Sequence, residues 1–406
     1  MDKHDEILIE ILKTSLNNKE YTLTNNDNIE WDKLIKEAQE HKISSLVYYT
    51  LDRSVFDLIE SDILKEWKKE VITSNLIELK HDKDIINIID DFNKNNINYI
   101  CLKGVYLKEL YPKRELRTMS DTDILVSEKD YYNAKEILIK QGYVCEEDRN
   151  SIHEEFNKYG SIQVELHNAL IDKDVVCIEN KDFEEKIWNS IIEFQFNNIQ
   201  TRILGKNDFL LHLLFHMVVH AKYMGFGLRQ LYDLCLYIKY NKEKIDWIEL
   251  YNKAYEYDIL EFSKAIFYVV HEIFGVNVNE NFIKNIKFSK KDINFLLENI
   301  LKCGVYGKKE LDNDFSFLYK NDNFHTEKQN ISHNILKFMF PSADFMSKRY
   351  SYAKKCRLLI PIAWIHRMFF GGIIKNKTFY TIKNIKYSID TRKNRNRIMK
   401  VFKLPK

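Results

Sequence analysis

The chain has 406 residues, 45% hydrophobic, 13% aromatic and 30% charged, which excludes a disordered polymer and suggests about two or three folded domains. The net charge of +2 hides an asymmetry: residues 346–406 carry 17 Lys/Arg against one acid, Asp390, while the rest holds 45 basic and 59 acidic residues. Six scattered cysteines form no Cys-x-x-Cys pair and no apolar run reaches 18 residues, which argues against a zinc knuckle, a disulfide framework and a membrane-spanning helix.

With only 11 Gly and 4 Pro, long helices should dominate. The N-terminal MDKHDEILIEILK is amphipathic and lacks a small-residue cleavage site, so a cytoplasmic protein without a signal peptide is expected. Residues 5–80 read as helices, with Ile7, Ile11 and Leu12, then Trp31, Leu34, Ile35 and Ala38, at helical spacing. Glu78–Lys94 is a further amphipathic helix. The period then shortens. Ile97–Gly104 is a β-type run ending in glycine, VYLKELY gives a turn or two of helix, and Thr122–Val126 is a second strand. A helix over Glu128–Gln141 is stopped by Gly142, and Tyr143–Asp148, Glu154–Tyr159 and Ser161–His167 read as strands, the last two joined by a turn at Lys158–Ser161. From Asp208 the helical period returns, clearest in Phe209–His220, Arg229–Tyr240, Trp247–Tyr257, Phe262–Phe274 and Asp292–Lys302.

The chemistry concentrates at Asp121 and Asp123. On an extended chain both carboxylates point the same way. Two such acids repel, and burying them unpaired is costly, a penalty that a divalent cation removes. Glu165, in QVELH between the apolar Val164 and Leu166, poses the same problem. Three acids on neighbouring strands can hold metals that activate a hydroxyl and stabilise a leaving pyrophosphate. The Asp-x-Asp spacing alone says little, because Asp82/Asp84, Asp172/Asp174 and Asp312/Asp314 share it. Those pairs read as solvated acids; context sets Asp121/Asp123 apart.

The run LKG-VYLKELY-PKRELRTMSDTDILV, a helix ending in QGY, then HEEF and IQVELH, resembles the bacterial family of uncharacterised nucleotidyltransferases, within the DNA-polymerase-β-type superfamily. WDKLIKEAQEHKISSLVYYTL, LLHLLFHMVVHAKYMGFGLRQLYDL and the FPSADFM…RY segment are similar to that family's N-terminal, helical and C-terminal parts. The resemblance implies Asp121, Asp123 and Glu165 as metal-binding and catalytic carboxylates, with Glu165 placed to deprotonate the acceptor. It implies Mg²⁺ or Mn²⁺ as cofactor, and an NTP, with ATP in mind, as donor. It sets Gly104 against the triphosphate. The superfamily's Gly-Ser is here Gly104-Val105, so Lys103 or Ser120 would have to supply the missing phosphate contact. Arg117 and His167 complete the nucleotide-binding candidates, with an ion pair to Glu115 or another acid as the alternative for Arg117.

His212, His216 and His220 fall at i, i+4 and i+8 on one helix. Packing or substrate contact is favoured there over zinc, since no His-Glu-x-x-His is present. Asp233 either holds Arg229 across one turn or reaches the cleft; with His216 it is a possible substrate contact. In the C-terminal segment Trp364, His366, Arg367, Phe369, Phe370, Phe379 and Tyr380 mix rings and cations. They suit an aromatic core for a last helical layer, or a grip on RNA, an acidic surface or a partner protein.

The expected fold is therefore α+β: a small mixed β-sheet nucleotidyltransferase core between N-terminal helices (1–80) and a helical domain (201–340), the core occupying 81–200 and a basic aromatic segment 341–406. The expected activity is NMP transfer to an acceptor hydroxyl or phosphate on a small molecule, peptide or protein. A tRNA-directed enzyme, a catalytically degenerate nucleotide- or partner-binding module and a metallohydrolase on the histidine stripe are the alternatives.

Overall fold

Helix α1 (Lys3–Leu16) starts at Asp2, whose carboxylate accepts the Asp5 N–H while Asp5 accepts that of Asp2, a reciprocal cap. The buried face of α1 joins those of α2 (Trp31–Glu40), α3 (Ser44–Thr50) and α4 (Arg53–Phe56) in one core, with Trp31, Leu34, Ile35 and Ala38 inward as their spacing predicts. A computed structural model of the chain describes residues 2–23, 29–146, 152–171, 182–223, 225–304, 340, 342–368 and 393–405.

The amphipathic helix expected from Glu78 is the second half of a longer one, α5 (Ser61–Lys94). Its stripe of Trp67, Val71, Glu78, Asp82, Ile85, Ile89 and Phe92 keeps the 3–4 spacing of one helical face. Two members of that stripe are acids, and this corrects the solvated reading of Asp82. The Lys108 ammonium is fully buried between Glu78 (2.8 Å) and Asp82 (2.6 Å). Asp84 keeps partial exposure, beside Lys80 and the Ile162 N–H. Asp172/Asp174 and Asp312/Asp314 lie outside the described residues.

After α5 come β1 (Tyr99–Cys101), α6 (Gly104–Lys108), β2 (Asp121–Val126), α7 (Tyr131–Lys140), β3 (Val144–Glu146), β4 (His153–Asn157), β5 (Gln163–His167) and α8 (Asp182–Asn189). Gly142, just past α7, takes φ +88°, the left-handed conformation expected of it. The hairpin β6 (Ile192–Phe196) and β7 (Ile199–Ile203) has no counterpart in the sequence reading. Its turn, Asn197-Asn198, has φ of 48° and 69°, as a two-residue hairpin requires. These strands complete a mixed seven-stranded sheet of order β3-β4-β5-β2-β1-β7-β6.

Alternation along the strands gives the sheet two different faces. Tyr99, Cys101, Ile124, Val126, Val164, Leu166 and Phe156 pack under α5 and α7 with Ile85, Ile89, Phe92 and Leu138. Ile100, Leu125 and Ile203 turn to the opposite core. That core is filled by α9 (Lys206–Tyr223), α10 (Leu228–Asn241), α11 (Trp247–Glu256), α12 (Leu260–Phe274), α13 (Glu280–Ile283) and α14 (Lys290–Cys303). The molecule is thus α+β, a mixed sheet set among helices.

Contacts divide the chain into two units, Met1–Lys308 with Ile398–Pro405, and Lys309–Arg397. The second unit has helices at Ala343–Arg349, Ser351–Lys355 and Ile360–Met368 around Met346, Ala353, Ile360 and Ala363. Trp364 packs on this cluster, and the Tyr352 hydroxyl meets His366 Nδ1 at 2.8 Å. The side chain of Arg367, and Phe369, Phe370, Phe379 and Tyr380, lie outside the described residues. Among the described residues no helix is long and apolar enough to cross a membrane, and no disulfide links the cysteines.

Candidate active site

Register builds the site. Strands β2 and β5 run parallel with Asp121 opposite Gln163, Asp123 opposite Glu165 and Leu125 opposite His167. The acids therefore share the face that Leu125 takes, turned to the helical side, while Thr122 and Ile124 point back to the other core. Strand β4 runs antiparallel to β5 and sets His153 opposite His167. Asp121, Asp123, Glu165, His167 and His153 thus line one cleft of about 510 Å³, within the usual range for a ligand site. Lys103, Gly104, Arg117, Ser120, His216 and Asp233, the other candidates from sequence, line it too.

Asp123 is the buried centre. Lys103 Nζ stands 3.0 Å from its Oδ1 and His167 Nε2 3.3 Å. Burial alone would raise this carboxyl, but the two bases hold it well below the usual carboxylate range. Lys103 feels the converse: burial lowers it, yet Asp123, Asp121 and Glu165 outweigh burial and keep it a cation. Glu165 is different. Burial, with the charges of Asp123 and Asp121, lifts its carboxyl above the ordinary value although His167 Nε2 lies 3.4 Å away. His167 is pushed down by burial and up, on balance, by Asp123 and Glu165. Ser120 donates to Asp121 Oδ1 at 3.3 Å.

Gly104 matters for space. A Cβ there would overlap Sδ and Cε of Met119 and stand 3.3 Å from Arg117 Nη1. Val105, at the superfamily's serine position, is buried in the core under α5, so no hydroxyl reaches the cleft from that position. Arg117 pairs with neither Glu115 nor a surface acid. Its Nε and Nη2 bind Asp233 Oδ1 and Oδ2 at 3.0 and 2.9 Å, a fork-to-fork pair completed by the Tyr111 hydroxyl at 2.8 Å. Asp233 thus reaches the cleft through Arg117, while Arg229 donates to the Thr118 carbonyl instead.

Helix α9 supplies the opposite wall. Its 18 residues are apolar on most sides, as a helix buried between a sheet and other helices must be. His212, His216 and His220 face the cleft along it. His216 and His220 meet Nε2 to Nε2 at 3.0 Å, while neither nitrogen of His212 has a hydrogen-bond partner among the described residues. Burial, with the charge of Lys103, lowers all three, His212 to about 3 and His220 to about 4. The three form no three-ligand cluster among the described residues. They make a neutral imidazole wall.

The donor set fits a divalent cation: three carboxylates on one face, with the most buried of them already drawing Lys103 and His167 as counter-charges. Two residues that sequence reasoning did not place here are His153 and Tyr111. His153 opens β4, and the turn expected at Lys158–Ser161, which pairs that strand with β5, was the signal for it. Tyr111 carried none, because its partner Asp233 is 122 residues away.

The family model described as "Uncharacterised nucleotidyltransferase" matches residues 27–275, a span that includes the sheet, the acids and the histidine stripe. No curated protein matches. Among solved structures, an antigenic nucleotidyltransferase-like protein from Paracoccidioides brasiliensis is similar at 10% identity, with a TM-score of 0.29, over 50% of this chain and 97% of that one.

Proposed function

Because the chain belongs to the uncharacterised nucleotidyltransferase family, we propose that it is a metal-dependent enzyme moving an NMP group from an NTP to an acceptor hydroxyl or phosphate. The observation that carries this reading is the in-register set of Asp121, Asp123 and Glu165 on two parallel strands at one cleft wall.

In this reading Asp121 and Asp123 hold Mg²⁺ or Mn²⁺, which when bound would neutralise the triphosphate and acidify the acceptor. An acceptor oxygen attacks the α-phosphorus, the bond from that phosphorus to the β-phosphate oxygen breaks, and pyrophosphate leaves with the electron pair. The acceptor's proton passes to Glu165, whose affinity for protons is raised by burial and by the charges of Asp123 and Asp121. Lys103, just past β1, would supply a cationic phosphate contact in place of the serine hydroxyl missing after Gly104. Arg117 is held by Asp233 and presents Nη1 beside Gly104, where phosphate oxygens would lie. Ser120 is a hydroxyl donor at the cleft edge. His216, neutral in the opposite wall, offers one donor and one acceptor to an uncharged part of either substrate. The acceptor classes this chemistry accommodates are small molecules, peptides, proteins and a tRNA end.

The test uses full-length protein with each α-labelled NTP, Mg²⁺ or Mn²⁺, and a cell extract as acceptor source. Pyrophosphate release and label transfer are expected, and Asp123→Asn should reduce both by at least about 100-fold. Equal activity in that variant would remove the carboxylate assignment.

A further inference from the structure

The side of Glu165 away from Asp121 is built from nitrogen. Cross-strand pairing of β4 with β5 puts His153 directly opposite His167, rings 4.9 Å apart, with Glu165 two residues before His167 on the same face. Glu165 Oε2 lies 3.4 Å from His167 Nε2 and 3.9 Å from His153 Nε2. One ligand atom from each of the three falls within 4.8 Å of the others, and Asp123 Oδ1 is 3.3 Å from His167 Nε2.

The Glu165–His167 separation matches two ligands on one small cation, and His153, 3.9 Å from Glu165, would have to close by a few tenths of an ångström to join them. Two ligands each about 2.0–2.1 Å from a metal lie about 3.3–3.5 Å apart across a tetrahedral angle. Ion pairing of a protonated His167 with Asp123 and Glu165 is the simpler account, but it leaves the Nε2 contacts unaligned. His167 is 7% exposed, and its Nδ1 has no partner among the described residues. A buried polar ring in that condition needs something to bind.

We propose that His153, Glu165 and His167 form a mixed nitrogen–oxygen site for a first-row transition-metal ion of the Zn²⁺/Mn²⁺ class, with Asp123 at its edge. Mg²⁺ favours oxygen and water and dehydrates reluctantly, whereas imidazole suits zinc and its neighbours. This ion is distinct from the one held by Asp121 and Asp123. The proposal rests on the transferase reading and deepens it through the shared Glu165, which would give one carboxylate oxygen to this ion and keep the other for the acceptor's proton, while Mg²⁺ serves the aspartate pair.

Cobalt(II) is the probe, because its visible absorption is intense in a four- or five-coordinate nitrogen site and weak with six oxygens. Metal-free full-length protein, without nucleotide, is titrated with Co²⁺. The expected result is an intense band saturating near one equivalent, displaced by Zn²⁺ and untouched by excess Mg²⁺. Asp121→Asn should keep the band. His153→Ala, at a partly exposed position on β4, should abolish it and weaken Zn²⁺ binding at least about 10-fold. His167→Ala should do the same, with circular dichroism reporting whether it folds. A weak, oxygen-type spectrum, or a band unchanged by His153→Ala, would overturn the proposal. Its failure is separable from that of the transferase reading, since metal is measured without turnover: transfer without the cobalt band sinks only this site, and a cobalt band without transfer sinks only the activity.

Discussion

His212 shows how much of the cleft's behaviour is set by one buried ring. Without a hydrogen-bond partner among the described residues, its pKa falls to about 3 under burial and the nearby Lys103 charge. An unfolded histidine titrates near 6.5, so between these values the unfolded chain takes up a proton that the folded one refuses. The corresponding stability is complete above about pH 6.5 and drains away as the pH falls toward 3. His212→Leu removes no hydrogen bond. Its unfolding free energy at pH 7 should stay within about 1 kcal/mol of the parent, and its loss of stability between pH 6.5 and 4.5 should be shallower. Urea titrations at several pH values measure both. A variant as acid-labile as the parent would mean that His212 is not held neutral by its surroundings.

At the level of elements, α5 and α6 are pinned by charge inside an apolar interface. Lys108 is fully buried against Glu78 and Asp82, and Glu78 also accepts the Met119 N–H at 2.8 Å. That last bond ties the loop before β2, and with it Asp121 and Asp123, to the long helix. Lys108→Met keeps the volume and leaves the buried Glu78 and Asp82 with only the longer contacts of the bases His81 (3.6 Å) and Arg114 (3.9 Å), so it should cost about 3 kcal/mol in chemical denaturation. A cost below about 1 kcal/mol would show that the pair is solvated in solution. This network also marks the limit of sequence reading. Asp82/Asp84 and Asp121/Asp123 have identical spacing, and what separates them is position: one pair on a helix stripe, the other on a strand between apolar neighbours. The strand acids were legible because their alternation and the glycine-ended run before them are local. Asp82 was not, since its burial depends on a lysine 26 residues later. The β4–β5 hairpin was legible through its local turn, and His153 escaped only because it lies one residue before the strand read at Glu154–Tyr159. The β6–β7 hairpin had a local signal in Asn197-Asn198, but that turn lacks the glycine of the commoner hairpin turns, and its strands are no shorter than β4 and β5.

Across the whole molecule, the basic C-terminal segment divides in two, which charge counting had no means of showing. Residues 393–401 are helical, and Ile398, Phe402 and Leu404 are buried in the main core, where the Phe402 ring meets Phe288 at 5.1 Å. Lys309–Arg397 forms a unit of its own between two stretches that belong to the first. The cations of the last turns thus sit on an amphipathic helix whose apolar face is spent on packing, and their first role is to keep its outer face in water. The alternative, that this end is a free arm for an anionic partner, makes an opposite prediction. If the end is core, Phe402→Ala leaves a cavity and should destabilise the main unit by about 3–5 kcal/mol. The loss should appear as a lower urea midpoint with unchanged slope. Replacing Lys400 and Lys403 with glutamine should change the unfolding free energy by no more than about 0.5 kcal/mol, since surface charges contribute little. A Phe402→Ala protein as stable as the parent would detach the terminal helix from the core and return it to the role of an arm.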